Sequence, residues 1–164
     1  MPIRKVEPAD LVRLSSICID AFMGSVASTL TEEGINTFKK IASVDGFANR
    51  MEADNEMLAC EDGGEVIGIV ELKEGRHVAM LFVDPCRQKQ GVGRSLISAV
   101  LPCTRREILT VNASLTSVPA YLSYGFKCTG EAGELAGLKY QPMEMVLDKS
   151  IQLVADVNAG ETFR

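Results

Sequence analysis

Tryptophan is absent from this 164-residue chain, and histidine occurs once, at His77. Its five cysteines (Cys18, Cys60, Cys86, Cys103 and Cys128) are odd in number and widely scattered. One imidazole and scattered thiols build neither a zinc site nor a disulfide framework, so no metal is expected and a reducing cytoplasm is the expected home. No stretch approaches the ~20 consecutive apolar residues that cross a bilayer, and a signal-peptide pattern is missing, so no membrane association is expected. Basic residues are in deficit, 17 against 22 acidic ones, and the net charge of −5 argues against a nucleic-acid partner and for a cationic one. Repeats and low-complexity stretches are lacking as well. What remains, 46% apolar and 24% charged, is the composition of an ordinary globular domain with one core.

Helix and strand signals interleave along the chain. Residues 3–6 read as a short strand. Pro8 then opens a helix whose apolar stripe is Leu11, Leu14, Cys18, Ala21 and Phe22. Thr31 suits the N-cap of a second helix carrying Ile35, Phe38 and Ile41. Residues 43–46 read as a break, and a short piece follows at 47–51. Strands are expected at 57–60 and 66–72, joined by Glu61-Asp62-Gly63-Gly64, with Glu74-Gly75 turning into a third that ends at Val83. A helix from Gly91 buries Val92, Leu96, Ile97 and Val100 and is stopped by Pro102. Residues 107–111 read as a strand, 117–124 as a short helix, and 126–129 and 138–147 as two further strands. Residues 1–149 form a single domain on this reading; 150–164 are a weakly patterned tail, with the partial disorder usual at chain termini expected there.

The segment 78–100 carries the most chemistry. An apolar run ending at Val83 meets Asp84-Pro85, then Gln88-Lys89-Gln90-Gly91-Val92-Gly93-Arg94-Ser95, then the helix. A strand, a turn rich in unpaired amides and an exposed helix N-terminus together make an anion site, with a phosphate or pyrophosphate as its guest. Glycines at 91 and 93 keep Cβ atoms out of the approach, and Lys89 and Arg94 add charge. A Walker loop is excluded, because no Gly followed after four residues by Gly-Lys-Ser/Thr occurs. A dinucleotide fingerprint is excluded by Leu96 where a third glycine belongs.

Gln88-x-x-Gly91-x-Gly93, preceded by the strand-ending Val83, resembles the acetyl-CoA pyrophosphate loop of the GNAT superfamily of N-acyltransferases. Leu109-x-Val111, Ala120-Tyr121 and Gly125-Phe126 resemble that family's later signature. The element order over residues 3–147 is similar too, so the resemblance to a bacterial-type single-domain member covers nearly the whole chain. One departure stands out: Ser114 and Ser117 replace an Asn and an Ala that many members carry.

The resemblance implies an α+β fold, an α/β/α sandwich. Its mixed, mostly antiparallel central sheet would splay between strands 4 and 5, placed here between 80–83 and 110–114. Acetyl-CoA is then the expected cofactor. Backbone groups of Leu81, Phe82 and Val83 would pair with its pantetheine arm, amides of Gln88, Lys89, Gln90, Gly91, Val92, Gly93, Arg94 and Ser95 would hold the pyrophosphate, and Ser114 would reach a pantetheine amide or a water. Tyr121 would donate a proton to the departing thiolate. Tyr124 reads as structural and Cys86 as non-catalytic. For the base that frees the acceptor amine, His77 comes first, Glu71 second through its place on the apolar face of Ile67 and Ile69, and Glu144 third. The expected activity is direct transfer of an acetyl group to a primary amine of a small molecule or peptide, with a homodimer as the assembly suggested by analogy. A non-catalytic acyl-CoA sensor and an adenine-nucleotide-binding fold are the alternatives. The acceptor pocket would draw on the first two helices, where Asp10, Asp20, Glu32 and Glu33 offer charge to a polyamine, aminoglycoside or peptide amine; a solvated helix face explains the same acids.

Overall fold

The computed structural model describes residues 1–148; the tail at 150–164 lies outside the described residues. Eight strands form one sheet in the order β1-β2-β3-β4-β5-β8-β6, with β7 paired to β8. These are β1 (Ile3–Lys5), β2 (Asn55–Asp62), β3 (Glu65–Lys73), β4 (His77–Val83), β5 (Ile108–Ala113), β6 (Lys127–Cys128), β7 (Gly133–Leu135) and β8 (Leu138–Val146). Every pairing is antiparallel except β4 with β5, the two strands joined by a helical crossover. Helices α1 (Leu11–Ser25), α2 (Glu32–Ile41) and α3 (Val44–Met51) precede β2, α4 (Val92–Val100) follows β4, and α5 (Val118–Tyr124) follows β5.

The sheet separates two apolar layers. On one side Leu14, Cys18, Phe22, Phe38 and Phe47 pack on Ile69 and Met80; on the other Val92, Leu96, Ile97 and Tyr121 pack on Val70, Val78 and Val111. This is the three-layer α/β/α arrangement. β3 is buried at every position between its end residues, as a strand covered on both faces must be.

Several local expectations change. The break after the second helix is shorter than expected, falling at 42–43 between α2 and α3: Ser43 caps α3, its hydroxyl accepting from Gly46 N–H at 3.0 Å, so the helix starts at Val44 and not at 47. Pro8 opens a 3-10 turn, Pro8–Asp10, before α1 begins at Leu11. Glu71 does not share a face with Ile67. In β3 Ile67 is an extra residue opposite the Cys60–Glu61 step, and this bulge turns it toward α4 while Ile69 faces α1. Nor is Glu71 at a wet strand end, since its exposure is 0%.

A second bulge shapes the site. Glu71 pairs with Met80 and Leu72 with Val78, so Ala79 is the extra residue of β4. The parallel ladder with β5 stops at this point, after His77↔Thr110 and Val78↔Val111. The splay between strands 4 and 5 therefore begins earlier along β4 than expected, directly after Val78, with Thr110 and Val111 still paired. The edge of β4 beyond Val78 faces open space.

Candidate active site

The divergence of β4 and β5 opens a cleft of about 880 Å³. β4 from Val78 to Val83 forms one wall; the glycine turn, α5 and the end of β5 close one end; α1, α2 and the β7–β8 hairpin close the other.

The turn is held by several side-chain contacts. Asp84 accepts from the Cys86 N–H at 2.9 Å, and its carboxylate pairs with Arg13 of α1 at 2.6 Å. These contacts, the amide first, hold its carboxyl below the usual carboxylate range. Arg87 pairs with Asp62, and the Gln88 side-chain amide donates to the Val83 carbonyl at 3.3 Å. Lys89 (φ 63°) and Gly91 (φ 84°) both adopt left-handed backbone, which reverses the chain and aims the start of α4 outward. Ser95 N–H donates to the Gly91 carbonyl at 3.0 Å, leaving the amides ahead of it as the unpaired donors of a helix N-terminus. Lys89 and Arg94 line the cleft beside them.

Gly93 serves a purpose the sequence does not disclose. A Cβ on it would meet the Tyr124 hydroxyl, so its bareness lets α5 close on α4. Tyr124 itself lines the cleft, with the Arg94 guanidinium 5.5 Å from its ring centroid. It thus belongs to the site wall, and only this long-range contact reveals it.

Tyr121 also lines the cleft, 7% exposed, its ring edge-on to Tyr124 at 5.8 Å and to Phe126 at 5.4 Å. Burial pushes its phenol well above the ordinary range, so the proton stays on at neutral pH. Pro119 in the first turn of α5 and Gly125 (φ 105°) just past it fix the length of the helix that carries this tyrosine. Ser114 lines the cleft and shares a 2.5 Å hydroxyl contact with Ser117. Asn112, not singled out by any motif, lines it too and supplies an amide close to the position where Ser114 lacks one.

The structure does not bring the expected bases to this cleft. His77 sits at the closed end of the seam, its Nδ1 2.7 Å from Thr110 Oγ1. Burial, with Arg76 and Lys73 nearby, pushes its imidazole below the ordinary value. Glu71 lies on the α1 side of the sheet, accepting from Arg50 Nε at 2.8 Å. Burial pushes its carboxyl up and Arg50 pulls it back. Glu144 pairs across the sheet with Thr110 and Lys127. None of the three lines the cleft.

Residues 26–147 match the family described as Acetyltransferase (GNAT) domain. The chain belongs to the GNAT acetyltransferase family. It is 26% identical over 125 residues, 76% of this chain and 80% of the other, to the uncharacterized N-acetyltransferase YafP of Escherichia coli (strain K12). Its fold is similar to a GCN5-related N-acetyltransferase from Rhodopseudomonas palustris (TM-score 0.78, 23% identity, 89% of this chain and 95% of that one). It is also similar to the PaiA N-acetyltransferase of Thermoplasma acidophilum, a structure in complex with coenzyme A (TM-score 0.75, 21% identity, 88% and 98%).

As a GNAT acetyltransferase the chain depends on acetyl-CoA. Its cleft fits that molecule on three counts. The α4 N-terminus presents amides with two cations beside them, the free edge of β4 offers main-chain partners, and no acid lines the cleft. Among the described residues no cluster of His, Cys, Asp and Glu is arranged to hold a metal, and no helix is long and apolar enough to cross a membrane.

Proposed function

We propose that the protein moves an acetyl group from acetyl-CoA to a primary amine of a small molecule or peptide, by direct attack with both held in the cleft. One observation carries this reading: a single space joins the glycine turn, the free edge of β4, Tyr121 and the pocket between α1 and α2. The amides of 88–94, with Lys89 and Arg94, hold the pyrophosphate, the Ser95 amide being spent on the Gly91 carbonyl, and the main chain of Leu81, Phe82 and Val83 pairs with the pantetheine arm as an added strand. Asn112 and Ser114 offer polar contacts along the same arm. Bound there, the cofactor supplies an activated acetyl thioester.

The residues then have distinct tasks. The walls align the amine with the acetyl carbon, so that a nitrogen–carbon bond forms as the carbon–sulfur bond breaks. Tyr121 holds a proton at Oη and gives it to the departing sulfur, recovering one from solvent. The amine's proton leaves to water, because no carboxylate or imidazole lines the cleft.

A thiol-release assay with a panel of primary amines tests this. In Tyr121→Phe the turnover number should fall about 100-fold or more while calorimetry shows coenzyme A still bound. Tight binding of acetyl-CoA with no transfer to any amine would assign the protein to the sensors instead.

A further inference from the structure

The acceptor end of the cleft is defined by what its lining lacks. Among the described residues that line it there is no aspartate and no glutamate. The charged groups are all cations: Arg87, Lys89 and Arg94 at the glycine turn, and Lys139 of β8 at the opposite end. Between these poles the acceptor end is mainly apolar and aromatic, with Ser25 and Tyr140 as its uncharged polar side chains. Phe22 of α1 and Phe38 of α2 stack with centroids 3.9 Å apart, and Phe38 meets Phe82 of β4 at 5.3 Å. The four acids of the first two helical segments are directed elsewhere. Asp10 pairs with Arg4 at 2.8 Å, Asp20 accepts from the Ser16 hydroxyl on the exposed face of α1, and Glu32 and Glu33 are exposed in the first turn of α2. None of them lines the cleft.

These facts select the acceptor by charge. A second ammonium entering this pocket would give up its hydration with no carboxylate to replace it, and would meet the like charge of Lys139. An apolar body gains from the same wall by leaving water. Desolvation also favours the neutral form of the reacting amine, the form that attacks, where the lining holds no base to take its proton. We propose that the acceptor is a monoamine on an apolar body, any second charge it bears being negative and met by Lys139, and that polyamines and aminoglycosides are not its substrates. This rests on acetyl transfer taking place in the same cleft.

Three amines that share one pentamethylene chain test it: n-hexylamine, ending in methyl; cadaverine, ending in a second ammonium; and ε-aminocaproate, ending in carboxylate. Each is titrated calorimetrically into the coenzyme A complex and assayed for thiol release with acetyl-CoA. Hexylamine should bind more tightly than cadaverine and exceed it in kcat/KM by about tenfold or more, and each further methylene should raise kcat/KM about fourfold. ε-Aminocaproate should also rank above cadaverine, and Lys139→Glu should reverse that order. Cadaverine binding as well as or better than hexylamine would overturn the inference, whether or not it is acetylated. Hexylamine binding more tightly without ever being acetylated would support the pocket's preference and overturn the transfer reading.

Discussion

Gly93 and Tyr124 form a pair that a single substitution separates. A methyl at position 93 runs into the phenolic oxygen rather than into backbone, so the obstacle is one atom at the end of a side chain. Gly93→Ala should therefore lower thermal stability and weaken coenzyme A binding, and Tyr124→Phe in the same chain should restore most of both. A double-mutant cycle measured by thermal melts and calorimetry reads the coupling, expected at about 0.5–3 kcal/mol for residues in contact. His77 gives a second residue-scale prediction. Its Nδ1 lies 2.7 Å from the Thr110 hydroxyl, which is itself 3.3 Å from the Arg76 carbonyl, so the neutral imidazole is held in a hydrogen-bonded chain. Burial first, then Arg76 and Lys73, disfavour the imidazolium, and the folded chain takes up fewer protons than the unfolded one as pH falls past the ordinary value of 6.5. The stability is complete above that value and declines below it. Melting curves between pH 7.5 and 5.5 should show wild type losing more than His77→Asn, over a window set by the ordinary histidine pKa of about 6.5.

At the scale of elements, the β7–β8 hairpin and α2 hold each other by bare backbone. Gly34 lies against the Gly137 carbonyl, where an added Cβ would collide with main chain, and the Thr37 hydroxyl donates to the Ala136 carbonyl at 2.7 Å. Gly34→Ala should push the hairpin off α2 and raise KM for the amine severalfold, leaving KM for acetyl-CoA nearly unchanged, since the glycine turn is at the other end of the cleft; initial-rate kinetics in both substrates separate the two effects. The elements themselves were legible to unequal degrees. β1 to β4 and α4 follow from apolar runs and the turns between them, and Gln88, Gly91, Gly93 and Tyr121 are picked out by the resemblance to the GNAT motifs. The first turn of α3 is hidden because Gly46, a residue that usually interrupts a helix, sits there under the Ser43 cap. The bulges at Ile67 and Ala79 are hidden because period-two alternation presumes an unbroken ladder, and that presumption puts Glu71 on the face of Ile67 when it shares only that of Ile69. Arg50–Glu71 and Gly93–Tyr124 join residues far apart in sequence, which no local pattern encodes.

Across the whole molecule, ligand binding and folding are linked. A compound that binds only the folded chain stabilises it by about 2.7 kcal/mol at a hundred times its Kd, which for a domain of this size shifts the melting midpoint by about 5–10 °C. Coenzyme A should give such a shift, while ATP and NAD, the guests of an adenine-nucleotide fold, should not. The ladder between β4 and β5 is two residue pairs long, at a seam that divides the sheet near its middle. In the bare protein that seam is a line of mechanical weakness. A donor molecule laid along it in the proposed way would act as a splint, making the loaded enzyme the stiffer body, so that the compliance of the molecule would be governed by whether it carries its cargo.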